Sequence, residues 1–136
     1  SKAAQCGFFI AMNKSLWIKI TAVCGALAVA LGAFAAHGLK PHLSAAQLQT
    51  YQTAVQYHFI HTLALLAIIN LPLDARRLQW VARNFLLGII LFSGSLYSIA
   101  LTSISAIGLL TPFGGSAFIV GWLLLITAKS PKTHGN

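Results

Sequence analysis

The stretch Thr53–Pro72, TAVQYHFIHTLALLAIINLP, joins two chemistries that do not usually share one helix. From Leu63 onward it is apolar enough to dissolve in lipid, yet its first turns hold Gln56, Tyr57, His58 and His61. At roughly 100° per residue, Tyr57, His58 and His61 fall within about a third of a helix circumference. Gln49, Gln52 and Gln56 point the other way. The glutamine face reads as one wetted by headgroups before the chain sinks into lipid. The histidine face continues one turn deeper, to His61, and asks for partners.

The rest of the chain sets the solvent for this segment. Of its 136 residues, 57% are hydrophobic and 7% are charged, against about 25% charged in a soluble domain. Asp74 is the single carboxylate side chain. The formal charge of +8 sits at the ends of apolar runs, not on one soluble face as in a nucleic-acid binder, so nucleic acid is excluded as a partner. Four runs predict membrane spans at about 16–37, 54–72, 84–104 and 112–128. The last falls short of the roughly 20 residues an untilted span needs. The connections leave no room for a second domain. The expected fold is all-α: an integral-membrane four-helix bundle forming a single transmembrane domain over residues 1–136, with 1–14 as an N-terminal extension.

Lysine and arginine placement decides orientation. Lys2, Lys14, Lys19, Arg76, Arg77, Arg83, Lys129 and Lys132 fall on one side and Lys40 alone on the other. This bias predicts a bacterial inner-membrane protein, multi-pass, with both termini cytoplasmic. Trp17 and Trp80 mark the inner boundary as interfacial anchors do, and Lys19 can snorkel there on its long stem. Lys14, Lys19 and the small residues of AFAAHG imitate a secretory signal, but the apolar run exceeds a usual signal core, and the segment is read as a span. Met12 opens MNKSLWIKI in the manner of a natural start, which makes Ser1–Ala11 an upstream extension whose GFFIA can lie along the inner interface. Cys6 faces a reducing compartment and Cys24 lies within the bilayer, so no disulfide joins them. Cys24 reads as a small packing residue.

Small residues should bring the helices together, because lipid supplies little hydrophobic drive for pairing. The first span offers Gly25, Val29, Gly32 and Ala36; the third Gly88, Gly94, Ser95 and Ser98; the fourth Gly114, Gly115, Ser116 and Gly121. No internal repeat of the transporter kind is evident. Helix ends are marked as well. Gly38 suits a left-handed cap before Pro41, and Ser44 suits an N-cap for a helix running straight into the second span. Thr111 is expected to cap the fourth helix with Pro112 in its first turn, leaving a bare start at Gly114 and Gly115.

Four motifs in order, GAFAAHGLK, YQTAVQYHFIHTLAL, SGSLY and LTPFGGSAFIVGW, cover nearly the whole length. Together they resemble the domain-of-unknown-function 423 family of small bacterial inner-membrane proteins, akin to transmembrane protein 256 of eukaryotes. The matching residues are His37 and Gly38, then Tyr57 and His61, then Gly94, Ser95 and Tyr97, then Thr111, Pro112, Gly114 and Gly115. Ala35 stands where the family pattern has glycine, and Tyr51 where it has tryptophan, which touches local packing only. The resemblance implies a multi-span membrane protein and no established activity.

In the expected topology His37, Tyr57, His58, His61, Ser95, Tyr97, Thr111, Gly114 and Gly115 share one depth near the outer leaflet. His37, Tyr57 and His61 should turn inward towards Tyr97 and the start of the fourth helix, with His58 at the edge. Three readings of this cluster stand open. The first makes it a set of structural ties between helices, worth about 0.6–2 kcal/mol each. The second makes it a site for a lipid, quinone or small anion, since polar groups at membrane depth are often functional. The third makes His37, His58 and His61 ligands of a metal or haem; the sequence itself requires no cofactor. An enzyme is disfavoured. Asp74 lies across the bilayer from the histidines, which deprives a serine–histidine pair of its acid, and PFGGSAF lacks the lysine and spacing of a phosphate loop. The expectation is an accessory or scaffolding protein acting through helix–helix contacts. Its partners are membrane lipids and either other membrane proteins or a second copy of itself. A ligand binder is the alternative and an unrecognised membrane enzyme the next.

Overall fold

The computed structural model describes residues 12–131, and among these the regular elements are all helical, with no strand. Lys2, Cys6, GFFIA and Lys132 lie outside the described residues. Four helical segments follow one another: α1 (Lys14–Leu39), α2 (Ala45–Ile69), α3 (Ala75–Thr102) and α4 (Ser105–Ile126). Of these, α1, α3 and α4 are long and apolar enough to cross a membrane. α2 has 25 residues, or roughly 37 Å at 1.5 Å per residue, but its glutamines and histidines dilute its apolar character.

Side chains set the helix starts. Asn13 Oδ1 accepts from the Leu16 amide at 3.1 Å. Ser44 begins α2 as expected and forms a full capping box: its hydroxyl accepts from the Gln47 amide at 3.1 Å, and Gln47 Oε1 accepts from the Ser44 amide at 2.9 Å. Asp74 caps α3 by accepting from the Arg77 amide at 3.2 Å. Two expected ends take a different form. No glycine among the described residues has a positive φ, and α1 instead widens into a π-helical turn at Ala35–Leu39 that contains Gly38. The left-handed residue is Ser103, φ 58°, which ends α3. Thr111 is not a cap either: a 3₁₀ stretch, Ser105–Leu110, runs directly into the α-helical part of α4, so that helix start is not bare.

Helices adjacent in sequence pack on each other: α1 with α2, α2 with α3 and, most extensively, α3 with α4. The pairing is antiparallel, since Gly25 of α1 faces Thr62 of α2 while Gly32 faces Val55. The working face of α1 is Thr21, Cys24, Ala28 and Ala35, all buried, together with Gly25 and Gly32; Val29 and Ala36 of the expected row are exposed. α4 lies closer to its neighbour. A methyl group at Gly114 would meet the backbone of Phe92 (2.7 Å from Cα), and one at Gly121 would meet Phe85 Cε1 at 2.6 Å. The segment of α3 under Gly114 is itself a π-helical turn, Ile89–Ser93. Gly94 has no neighbour within 4 Å of its virtual methyl and is not a contact position.

Two apolar clusters result. One gathers Trp17, Leu65, Ile68, Ile69, Leu78, Val81, Phe85 and Phe118 towards the Asp74 end. The other gathers Ala35, Leu39, Tyr51 and Ala100 towards the opposite end. Between them lie His58, His61 and Ser93.

The contrast between two glycines is a direct check. Gly114→Ala should destabilise the protein by about 1–3 kcal/mol, the usual cost of overpacking, because backbone cannot move aside as a flexible side chain can. Gly94→Ala should be neutral or slightly stabilising, as expected for alanine in a helix. Equilibrium unfolding in mild detergent measures both, and equal effects at the two positions would contradict the α3–α4 packing.

Candidate functional site

His58 and His61 are both buried, at 4% exposure each, near the midpoint of α2, whose central residue is Tyr57. They diverge, because three residues of helix turn them towards different neighbours. His58 Nδ1 shares a 3.0 Å hydrogen bond with the Tyr97 hydroxyl on α3. The backbone of Cys24 on α1 is the other polar neighbour of this ring. Tyr97 in turn meets the ring of Tyr51 edge-on, 5.0 Å between centroids. The fully buried Tyr51 donates its hydroxyl to the Leu31 carbonyl of α1 at 2.8 Å.

His61 points to α4. Trp122 Nε1 donates to His61 Nε2 at 3.1 Å. An indole N–H can only donate, so His61 Nε2 is the acceptor and Nδ1 carries the proton. That proton goes to the Tyr57 carbonyl, 2.8 Å away. The imidazole lies flat on Phe118, centroids 3.6 Å apart, with Phe85 edge-on at 5.3 Å. Both nitrogens and one face of His61 are thereby engaged.

Two hydroxyls complete the layer. Ser93 is fully buried in the π-helical turn of α3 and donates to the Ala54 carbonyl of α2 at 2.9 Å. Ser95 donates to the Phe92 carbonyl at 2.9 Å. Its oxygen is therefore the acceptor in the 2.6 Å contact with Thr111, which ties α3 to α4. Among the described residues no buried side-chain nitrogen or oxygen lacks a partner.

The nine expected site residues are thus distributed over separate contacts. His58 pairs with Tyr97, and Ser95 with Thr111. His61 pairs with a residue outside the set, Trp122. Gly114 is buried against α3, and a methyl group at Gly115 would stand 3.7 Å from the Phe92 ring. Tyr57 sits at the edge, 41% exposed, its ring 4.7 Å from that of Phe92. His37 is exposed on the π-helical turn that ends α1. The inward residues are therefore His58 and His61, whereas His37 and Tyr57 were expected inside and His58 at the edge. Among the described residues no three His, Cys, Asp or Glu side chains are placed to hold a metal ion, so His37, His58 and His61 do not form a ligand set. α2 starts at Ala45 behind its Ser44 cap, as expected, and His58 lies at mid-helix.

Trp122, Tyr51 and Ser93 are the residues that the motif reading missed. Trp122 had a usable signal: a donor-only side chain inside an apolar segment needs an acceptor. Ser93 opens the SGSLY motif, but its bond to the Ala54 carbonyl depends on the π-helical turn, which the motif does not reveal.

A double-mutant cycle tests the ties. His58→Leu and Tyr97→Phe should show a coupling of about 0.6–2 kcal/mol in detergent unfolding, the range for polar contacts between membrane helices. Trp122→Phe should cost about 1–3 kcal/mol, since it leaves a buried imidazole nitrogen without its donor.

Comparison with known proteins places this geometry in a family. The family described as "Protein of unknown function (DUF423)" matches residues 31–115. The chain is 46% identical over 114 residues to the UPF0382 membrane protein SSP2132 of Staphylococcus saprophyticus, covering 80% of this chain and 95% of that protein. It is 41% identical over 116 residues to the UPF0382 membrane protein YwdK of Bacillus subtilis, covering 83% and 94%. It is 36% identical over 129 residues to the UPF0382 inner membrane protein YgdD of Escherichia coli, covering 91% and 97%. No solved structure matches. The chain belongs to the DUF423 family of unknown function and is a membrane protein with helices able to span the bilayer.

Proposed function

We propose that the protein is a four-span bundle of the bacterial inner membrane, both termini cytoplasmic, acting as an accessory or scaffolding element through helix contacts and carrying out no chemistry of its own. The observation that supports this most is the state of its buried polar groups. His58, His61, Tyr97, Ser95 and Thr111 spend their hydrogen bonds on one another, on Trp122 and on backbone carbonyls. A catalytic base or ligand donor needs a free lone pair or proton directed at a substrate. The single carboxylate, Asp74, is engaged at the first turn of α3, away from mid-helix His58. In favour of the orientation are the cation bias and the Escherichia coli relative's name as an inner membrane protein. The length of α2 favours a fourth span, since a helix of 25 residues exceeds the hydrocarbon thickness.

Three measurements test the reading. Externally added thiol reagent should label a cysteine placed at His42 and leave one placed at Arg76 untouched; the reverse pattern inverts the protein. Purification from native membranes in mild detergent should bring along a membrane protein partner or a second copy. His61→Ala should lower thermal stability without removing any bound small molecule. A chromophore, quinone or metal that His61→Ala removes would replace this reading with a ligand-binding one.

A further inference from the structure

A concave feature lies away from the histidines, where the α2–α3 connection, the start of α3 and the end of α4 meet. A cavity of about 720 Å³ opens there, lined by Asp74, Arg76, Arg77, Thr127, Lys129 and Ser130 among others. A smaller recess of about 280 Å³ shares Asp74, Arg76 and Arg77 and adds Trp80 and Leu124. The walls are tied together. The Asp74 amide donates to the Lys129 carbonyl at 2.9 Å, and Arg77 Nη1 donates to Thr127 Oγ1 at 3.0 Å. The rim therefore has a defined shape across two distant parts of the chain.

We infer that this basic pocket binds the phosphate of an anionic phospholipid headgroup. Three cations face the cavity against one carboxylate, and Asp74 already accepts from the Arg77 amide. The chain has no other Asp or Glu with which to neutralise them. The uncompensated positive charge calls for an anion from outside, and arginine guanidinium groups suit phosphate oxygens. The adjoining recess argues for a lipid over a free anion. Trp80, half exposed, stands beside Leu124 as an amphipathic ring at headgroup level, with Arg83 above it at 5.2 Å. Polar headgroup and first acyl carbons would lie side by side, as in basic pockets between membrane helices that hold anionic lipids. The placement on the cytoplasmic side rests on the orientation proposed above; the pocket itself does not.

The test uses full-length protein in mild detergent, with phosphatidylglycerol, phosphatidylcholine and inorganic phosphate as probes, read by native mass spectrometry and thermal shift. Wild type should retain phosphatidylglycerol and gain thermal stability from it, with little effect of phosphatidylcholine. Arg76→Gln combined with Lys129→Gln should weaken phosphatidylglycerol retention by roughly tenfold or more, whereas Lys40→Gln at the other end should not. Equal retention of the two lipids by wild type overturns the proposal without any variant having to fold. Equal loss with Lys40→Gln reduces it to bulk charge and also overturns it. Inorganic phosphate that stabilises as well as the lipid makes this a site for free anion and overturns the lipid assignment. None of these readouts depends on partner co-purification, so this inference and the scaffolding reading fail separately.

Discussion

Within a bilayer no water can satisfy a buried donor or acceptor, and the arrangement of this protein follows from that constraint. α2 carries two imidazoles into the interior, and each must find its partner on another helix or on backbone. His58 reaches Tyr97 on α3, and His61 accepts from Trp122 on α4. The polar layer therefore fixes the rotation of α2, α3 and α4 about their axes. The two apolar clusters on either side fill space; alone they would tolerate several rotations of smooth helices.

Close backbone approach makes those bonds possible. A helix that widens by one residue at Ile89–Ser93 offsets the face of α3, so that Ser93 meets α2 while Phe92 meets Gly114 of α4. Such turns recur at functional positions in helices; here the observable effect is to let one short segment serve two neighbours. The glycines of α4 are spent on this contact, and Phe118 closes over Gly88 in return.

The helical architecture was legible from composition and run length, and the Ser44 cap from its side chain and Gln47. The faces of Gly25, Gly32, Gly114 and Gly121 were legible because only small residues suit close crossings. What escaped were departures from ideal helix. The π-helical turn that replaces a left-handed Gly38 keeps the chain helical to Leu39, two residues past the expected end at 37, and the 3₁₀ stretch before Thr111 removes an expected helix start. The helix running from the Ser44 cap into the apolar part of α2 was legible from its cap and composition. The partners of His58 and His61, Tyr97 and Trp122, follow from helix order and rotation, which spacing within α2 does not contain.

The sequential packing has a consequence for biosynthesis. Each helix packs on the helix made just before it, so the chain can assemble in the order in which it leaves the ribosome, as domains made N-terminus first often do. The exception is the bond from Trp122 to His61, which joins residues 61 positions apart and bridges the second helix to the last. Until α4 arrives, the His61 acceptor has nothing to receive. That bond acts as a completion latch: it forms only once the chain has been made through Trp122 and α4 has docked.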